Sequence, residues 1–314
     1  YKVYASGSSS IKIHSHLKQS AVGRVRRTRI FPLSFVEWAQ PQLDLDLANL
    51  AMDKPLAPRA AARCSDLLEE FLVWGGMPEL STASKELERR EILQEIVGLY
   101  LEKDVASLLR KDELMKFNEF LRLIAIRCGQ QLNKSRFGNG LGISARQVER
   151  QLLVMEHTFV LRLAGTDYAN PTKRLVKAPK MYLYDNGVRN ALVRDFRPRA
   201  LRPDAGALVE NHVSGELEKA IDVSVDICFH RTADGQEVDF VLERDRLKIL
   251  VEVKSGLARP KIPPAISDLS RREDVVASVV LNDGLRQTVD CAGKPVHFVP
   301  HYLAHRIPSL FSQM

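Results

Sequence analysis

The chain has 314 residues, of which 45% are hydrophobic and 27% charged, enough for two or three packed cores. This composition disfavours a disordered protein and a disulfide scaffold, and the four widely spaced cysteines are typical of reduced core residues in a cytoplasmic protein. The net charge of +7 is compatible with nucleic-acid binding but is shared by many proteins that bind none. No run of about 18 apolar residues and no signal peptide is found, so we expect no membrane partner.

Residues 1–10 (YKVYASGSSS) read as a strand that runs into a turn rich in serine and glycine. A single strand is unstable by itself, so we expect the rest of its sheet to be formed by residues upstream of residue 1. The phosphate-binding pattern G-x-x-x-x-G-K-[ST] is absent from the sequence. We therefore expect ATP as a cofactor only together with a preceding segment that carries this loop.

The serine-rich turn is followed by Gly23-Arg24 and then by PLSFVE at residues 32–37. This succession resembles a prokaryotic family of AAA-type ATPases, whose members carry a C-terminal domain of unknown function with nuclease-like motifs. The resemblance implies that residues 1–58 are the end of the ATPase core, containing its sensor strand and an arginine segment. It also allows a homo-oligomer, since such an arginine acts either in cis or across a subunit boundary.

Three residues of this first segment are candidates for nucleotide sensing. The resemblance places Ser6 or Ser8 near the nucleotide γ-phosphate and Arg24 beside the phosphoryl group, where a guanidinium neutralises developing charge. The alternative is structural: Arg24 caps a turn, and Ser8 is the N-cap of a helix that begins near Ile11.

Residues 59–130 are predicted to be helical, because apolar side chains recur at helical spacing in three stretches. The first stretch stops at residues 74–79 (WGGMPE), where a glycine pair and a proline end the helix, and this break also matches the family. The second runs from Glu86 to Leu109 and the third from Leu114 to Cys128.

Residues 131–195 are predicted to form a winged-helix-like region. The glycine-rich residues 138–143 are the expected turn, and Ser144 is a good N-cap for the helix at residues 145–156. Two strands after this helix, joined by a basic loop, are the expected wing.

Four basic residues of this region are candidates for nucleic-acid binding. Arg146 and Arg150 are one helical turn apart and share an exposed face, while Lys173 and Arg174 lie in the wing loop. In a DNA-binding protein these side chains would contact phosphates while the helix enters the major groove. Winged helices also serve as protein-docking modules in AAA-type proteins, so both uses stay open.

Residues 205–314 contain the most specific pattern of the chain. A helix carries Glu210, a strand carries Asp239, and the next strand carries Glu252 and Lys254, two residues apart and so on one face. A further helix and strand complete an αβββαβ order, which is similar to the PD-(D/E)XK nuclease fold, a restriction-endonuclease-like architecture.

The four side chains suit metal-dependent phosphodiester hydrolysis. Asp239 and Glu252 are the expected Mg²⁺ ligands, with the Val253 carbonyl contributing and Glu210 acting through the metal or a water. Lys254 would stabilise negative charge or orient the attacking water. The alternative is that these residues are ordinary solvent-facing positions of amphipathic strands, and even the right fold does not guarantee cleavage.

Two other patterns carry no such chemistry. His301 and His305 are four residues apart but lack a supporting carboxylate motif, which favours a terminal helix that packs on the core. Residues 183–186 (LYDN) resemble the end of a nucleotide-binding strand, but no phosphate loop accompanies them.

The predicted fold class is multi-domain α/β: a remnant of an AAA core, a helical and winged-helix region, and a restriction-endonuclease-like domain. Two functions follow from it. Either the chain is the C-terminal portion of an AAA-type ATPase with a Mg²⁺-dependent nuclease-like domain that acts on nucleic acid, or the C-terminal domain of a regulatory ATPase binds nucleic acid or protein without cleaving it.

Overall fold

The computed structural model describes residues 6–7, 28–106, 108–167, 177–232 and 234–313. Helices dominate this part of the chain up to residue 157. In chain order they are α1 (Phe35–Ala39), α2 (Pro58–Trp74), α3 (Glu86–Leu99), α4 (Lys111–Ile126), α5 (Lys134–Leu141) and α6 (Ala145–His157). Short 3₁₀ turns lie at Gln40–Gln42 and Pro78–Thr82, and a π-helical turn at Tyr100–Val105.

The remaining elements build one mixed sheet and its covering helices. The strands are β1 (Leu161–Thr166), β2 (Lys180–Leu183), β3 (Asp226–Arg231), β4 (Glu237–Arg244), β5 (Leu247–Val253), β6 (Val275–Asn282), β7 (Gln287–Cys291) and β8 (Lys294–Pro300). The helices are α7 (Asn186–Val193), α8 (Ala205–Ala220) and α9 (Pro264–Leu269), with a short 3₁₀ turn at Arg199–Leu201 and a longer 3₁₀ helix at His301–Gln313.

The eight strands lie in the order β2-β1-β3-β4-β5-β6-β8-β7. Strands β3, β4 and β5 are antiparallel neighbours, whereas β5 pairs with β6, and β6 with β8, in parallel. The succession α8, β3, β4, β5, α9, β6 is the predicted αβββαβ order, and the general α/β class is confirmed. Mixed pairing of this kind needs a crossover between the parallel strands β5 and β6, and α9 lies in that connection.

The predicted wing hairpin is part of the same sheet. Strand β1 pairs with β2 on one side and, in parallel, with β3 on the other, where Gly165 is opposite Cys228. β3 pairs with the last two residues of β1, Gly165 and Thr166, and so joins the hairpin to the larger sheet. One sheet therefore crosses the boundary predicted between residues 195 and 205, and the main apolar core runs from Phe35 to Phe311.

Two local expectations differ from the structure. Residues 138–143 were expected as a turn, but α5 continues to Leu141, and the turn is limited to Gly142, with φ of 63°, and Ile143. The glycine at 138 serves packing instead, because a Cβ there would lie 2.8 Å from the Ile143 carbonyl oxygen. The stretch expected between Glu86 and Leu109 is interrupted after Leu99 by the π-helical turn.

The glycine pair after α2 has a contact that the sequence does not reveal. Gly75 ends the helix with φ of 75°, and the Gly76 amide donates to the Asp185 carboxylate at 2.7 Å. The other Asp185 oxygen accepts from the Val188 amide at 2.9 Å and caps α7. The residues that resemble a nucleotide-binding strand end therefore join α2 to α7.

The C-terminal residues pack on the core as expected. His301 is 1% exposed, and Leu303 and Ile307 are fully buried beside α8. Within the described ranges, no helix has both the length and the apolar character needed to cross a bilayer.

Candidate active site

The predicted acidic residues of the C-terminal half meet at the end of the β4-β5 hairpin. Phe240 pairs with Val251 in the antiparallel ladder, so the next pair is Asp239 and Glu252. These two acids lie side by side on the face of the sheet opposite to that of Phe240 and Val251. The Val253 amide donates to Asp239 Oδ2 at 2.9 Å, and this bond fixes the aspartate against the neighbouring strand.

Lys254 lies immediately after β5 and on the same face as Glu252. Its Nζ is 2.7 Å from Glu252 Oε1, while the lysine side chain itself is about half exposed. The predicted E-x-K spacing therefore gives a contact between the two side chains.

Glu210 comes to the same place from α8. Its carboxylate lies against Gly129, where a Cβ would be 3.2 Å from Glu210 Oε2. The Tyr182 hydroxyl donates to Glu210 Oε1 at 2.6 Å. The glycine leaves room for the carboxylate, and the tyrosine fixes its direction.

Lys180, at the start of β2, is the central cation of this group and was not predicted. Its Nζ is 2.8 Å from Glu210 Oε1, 2.6 Å from Glu237 Oε1 and 3.5 Å from Asp239 Oδ1. The lysine side chain is only 3% exposed. Because its partners are 30 or more residues away, no local spacing could have indicated this role.

Burial and mutual repulsion perturb the acids. Burial and the charge of Asp239 raise the pKa of Glu252 to about 7, although Lys254 opposes the shift. The same two causes raise the pKa of Glu210 above its usual value, against the opposing effect of Lys180. Burial alone would lower the pKa of Lys180, but Glu210 and Asp239 outweigh it and raise that pKa.

One oxygen of the site has no partner. Glu252 is 5% exposed, and its buried Oε2 makes no hydrogen bond to any residue that the structure describes. A buried carboxylate oxygen left in this state is costly, and such exceptions point to a missing water or ion. The candidate metal ligands beside it are carboxylate oxygens, which suit a hard cation such as Mg²⁺.

The acids are spaced more widely than in a closed metal cage. In the described part of the chain, one group of three His, Cys, Asp or Glu ligand atoms lies within 4.8 Å, and it is Asp167, Cys228 and Glu243. The oxygens of Glu210, Asp239 and Glu252 are not that close in every pair. Lys180 explains the spacing, since its ammonium lies between Glu210 and Asp239.

The compact group around Asp167 already contacts the ammonium of Lys248. Asp167 Oδ1 accepts from Lys248 Nζ at 2.9 Å, and Oδ2 is 3.3 Å from His230 Nδ1. Burial would raise the pKa of Asp167, but His230 and Lys248 lower it to about 2. Lys248 also contacts Asp274 at 3.2 Å, so this cluster is a satisfied ion-pair network.

The two arginines of α6 differ in their surroundings. Both are exposed, but Arg150 Nη2 donates to the Leu108 carbonyl at 3.2 Å, and Nη1 is 3.5 Å from the buried carboxylate of Glu113. Ser144 caps this helix as predicted and forms a capping box with Gln147. Arg150 therefore links α6 to α4 through its contact with Glu113.

Of the residues predicted to sense the nucleotide, Ser6 is exposed, whereas Ser8 and Arg24 lie outside the described residues. The predicted nucleic-acid-binding residues Lys173 and Arg174 also lie outside them.

Comparison with known proteins adds two family matches. Residues 65–199 match a domain of unknown function, DUF8612, and residues 205–300 match another, DUF4143. The second is found in AAA-ATPase-associated proteins. Its range contains the hairpin with Asp239 and Glu252 and the helix with Glu210.

The relatives are distant and uncharacterized. A protein of Methanocaldococcus jannaschii is 22% identical over 315 residues, which is 96% of this chain and 68% of the relative. Proteins of Mycobacterium bovis and Mycobacterium tuberculosis are each 24% identical over 181 residues, or 57% of this chain and 41% of the relative. This chain thus aligns with less than half of each mycobacterial relative.

Proposed function

We propose that residues 205–314 form a metal-dependent nuclease-like domain of the PD-(D/E)XK type, in a protein that contains an AAA-type ATPase. The observation that carries the proposal is the placement of Asp239, Glu252 and Lys254 on one face of the β4-β5 end, with a buried Glu252 oxygen that lacks a partner. The αβββαβ order and the match to a domain of AAA-ATPase-associated proteins support it.

Asp239 and Glu252 would hold Mg²⁺, because they are the adjacent carboxylates and one of them has a free oxygen. A bound Mg²⁺ would supply polarisation of the scissile phosphate and a lowered pKa of its water. Lys254, about half exposed and 2.7 Å from Glu252, can reach a phosphate oxygen and stabilise its charge. Glu210, which is held by the hydrogen bond from the Tyr182 hydroxyl, would orient a water.

Nucleic acid is the proposed substrate, in keeping with the net charge of +7. For the longer protein, ATP binding would require the phosphate loop that this sequence lacks, and Ser6, Ser8 and Arg24 would sense the nucleotide. Arg146, with Lys173 and Arg174, would contribute phosphate contacts. A homo-oligomer and a cytoplasmic location belong to the same proposal.

The test is cleavage of end-labelled single-stranded and double-stranded DNA and RNA with Mg²⁺ or Mn²⁺. Asp239→Asn is expected to abolish cleavage with the fold intact, whereas Asp290→Asn, an exposed acid at the far edge of the sheet, should retain it. Equal cleavage by both variants would mean that the activity does not come from this site.

A second function is favoured by Lys180. An ammonium that already contacts Glu210, Glu237 and Asp239 offsets charge that a metal would otherwise balance. A domain that binds nucleic acid or a partner protein without cleaving it needs no metal. Nucleic-acid binding without cleavage, unaffected by EDTA and by Asp239→Asn, would support this second function.

A further inference from the structure

The lysine at the start of β2 is fixed in the sheet through its backbone. Lys180 is opposite Ala164 in the β1-β2 ladder and forms a bridge with Gln131 on its other side. The next residue, Met181, accepts from the Gly129 amide at 2.8 Å and donates to the Gln130 carbonyl at 3.1 Å. Any displacement of the ammonium must therefore come from the side-chain torsions.

The ammonium has unequal contacts with its three acids. Glu237 Oε1 and Glu210 Oε1 are at 2.6 and 2.8 Å, while Asp239 Oδ1 is at 3.5 Å. Asp239 is also the acid that lies beside Glu252. A small rotation of the Lys180 side chain can release Asp239 and keep the two shorter contacts, so the charge stays paired inside the protein.

Glu237 sets this balance. It is the first residue of β4, it makes the shortest contact with Lys180, and its other oxygen is 3.5 Å from Arg231 Nη1. It draws the ammonium away from Asp239 by competing for it. Glu237 is not among the proposed metal ligands, so its effect on a metal would pass through Lys180.

We infer that Lys180 is an internal counter-cation that competes with a divalent metal for Asp239 and so lowers the metal affinity of the site. The inference rests on the proposed metal-binding function and adds to it a means of control. A divalent cation between Asp239 and Glu252 repels an ammonium that contacts the same aspartate, and the two compete for one charge. The site would thus be occupied only at high metal concentration or when Lys180 is drawn towards Glu237.

The test is calorimetric titration of the whole chain with Mn²⁺, which measures binding without any cleavage. Lys180→Met should raise the Mn²⁺ association constant by roughly tenfold, since it removes the competing charge. The matched control is Lys219→Met, which removes another largely buried, ion-paired lysine and should leave the constant unchanged.

Glu237→Gln should lower the Mn²⁺ association constant, whereas Lys180→Met should raise it. Without Glu237, the ammonium is held by Glu210 and Asp239 alone, and Mn²⁺ binding should weaken by about threefold. In the Lys180→Met background the same substitution should have no effect, because the two residues act on one step. An effect of equal size in both backgrounds would show that Glu237 acts directly on the metal and would overturn this mechanism.

The outcomes separate the inference from the function on which it rests. If Asp239→Asn abolishes Mn²⁺ binding but Lys180→Met leaves it unchanged or weaker, the competition is refuted and the metal site stands. If neither the parent chain nor Lys180→Met binds Mn²⁺, both are refuted. Should Lys180→Met fail to fold, as judged by circular dichroism, Lys180→Gln takes its place in both tests: unchanged or weaker Mn²⁺ binding by that variant would refute the competition.

Discussion

Replacement of Glu252 by glutamine tests the electrostatics of the site through stability. Glutamine has nearly the shape of the protonated acid but cannot ionise. In the folded metal-free protein the pKa of Glu252 is raised to about 7 by burial and by Asp239, whereas an unfolded chain has the usual value near 4.5. The folded state therefore holds the proton more tightly, and Glu252 should destabilise the fold as pH rises from about 4.5 to 7.

The size of the effect follows from the shift. A difference of about two and a half pKa units corresponds to about 3 kcal/mol, and the Glu252 side chain is only 6% exposed, so solvent screens it little. The free energy of unfolding of Glu252→Gln, minus that of the parent chain, should thus grow by about 3 kcal/mol between pH 4.5 and pH 8. Above pH 7 it should level off.

Urea unfolding of both proteins in EDTA, at half-unit pH steps, measures this difference directly. Taking the difference removes the contributions of other titrating groups that the two proteins share. Added Mg²⁺ should stabilise the parent chain at pH 8 and not the variant, because only the carboxylate can bind the ion. A difference that does not change between pH 4.5 and 8 would refute the raised pKa and the account of a strained buried carboxylate.

Three further predictions concern other parts of the molecule. Burial lowers the pKa of His212 to about 3, so the fold favours the neutral imidazole and stability should fall as pH drops below about 6.5. By pH 4.5 this loss is about 3 kcal/mol, and it should be absent from His212→Phe in urea unfolding. Gly76→Ala should destabilise the fold by more than about 2 kcal/mol in thermal unfolding, because a Cβ would lie 2.1 Å from the Leu33 carbonyl oxygen. Gly98→Ala, in open space on α3, should instead stabilise the fold by about 0.5–1 kcal/mol, and equal effects of the two substitutions would contradict the packing. If the chain binds DNA, Arg146→Ala should flatten the salt dependence of binding more than Arg150→Ala, because the Arg150 guanidinium already donates to the Leu108 carbonyl. Fluorescence anisotropy at several salt concentrations measures the two slopes, and equal slopes would contradict the prediction.

The C-terminal elements were predictable because their signals are local. Short apolar runs rich in β-branched residues indicate β4 and β5, and side-chain alternation then places Glu252 and Lys254 on one face. The Ser144 cap was visible for the same reason, since a capping box spans four consecutive positions.

The unpredicted features depend on contacts between distant residues. Lys180 looked like one more basic residue of a wing, but its partners Glu210, Glu237 and Asp239 come from distant parts of the chain. Arg150 looked free on its helix, but α4 supplies Glu113 as a partner. The glycine-rich residues 138–143 misled because Gly138 is required by a close approach to Ile143 and not by a turn.

The most direct test of the central claim is Mn²⁺ binding by the parent chain and by Asp239→Asn, measured by calorimetry at pH 7.5. We expect one Mn²⁺ per chain for the parent, no binding by the variant, and unchanged circular dichroism for both. Equal Mn²⁺ binding by the two proteins would contradict the assignment of the metal to Asp239 and Glu252, and with it the proposed nuclease-like site.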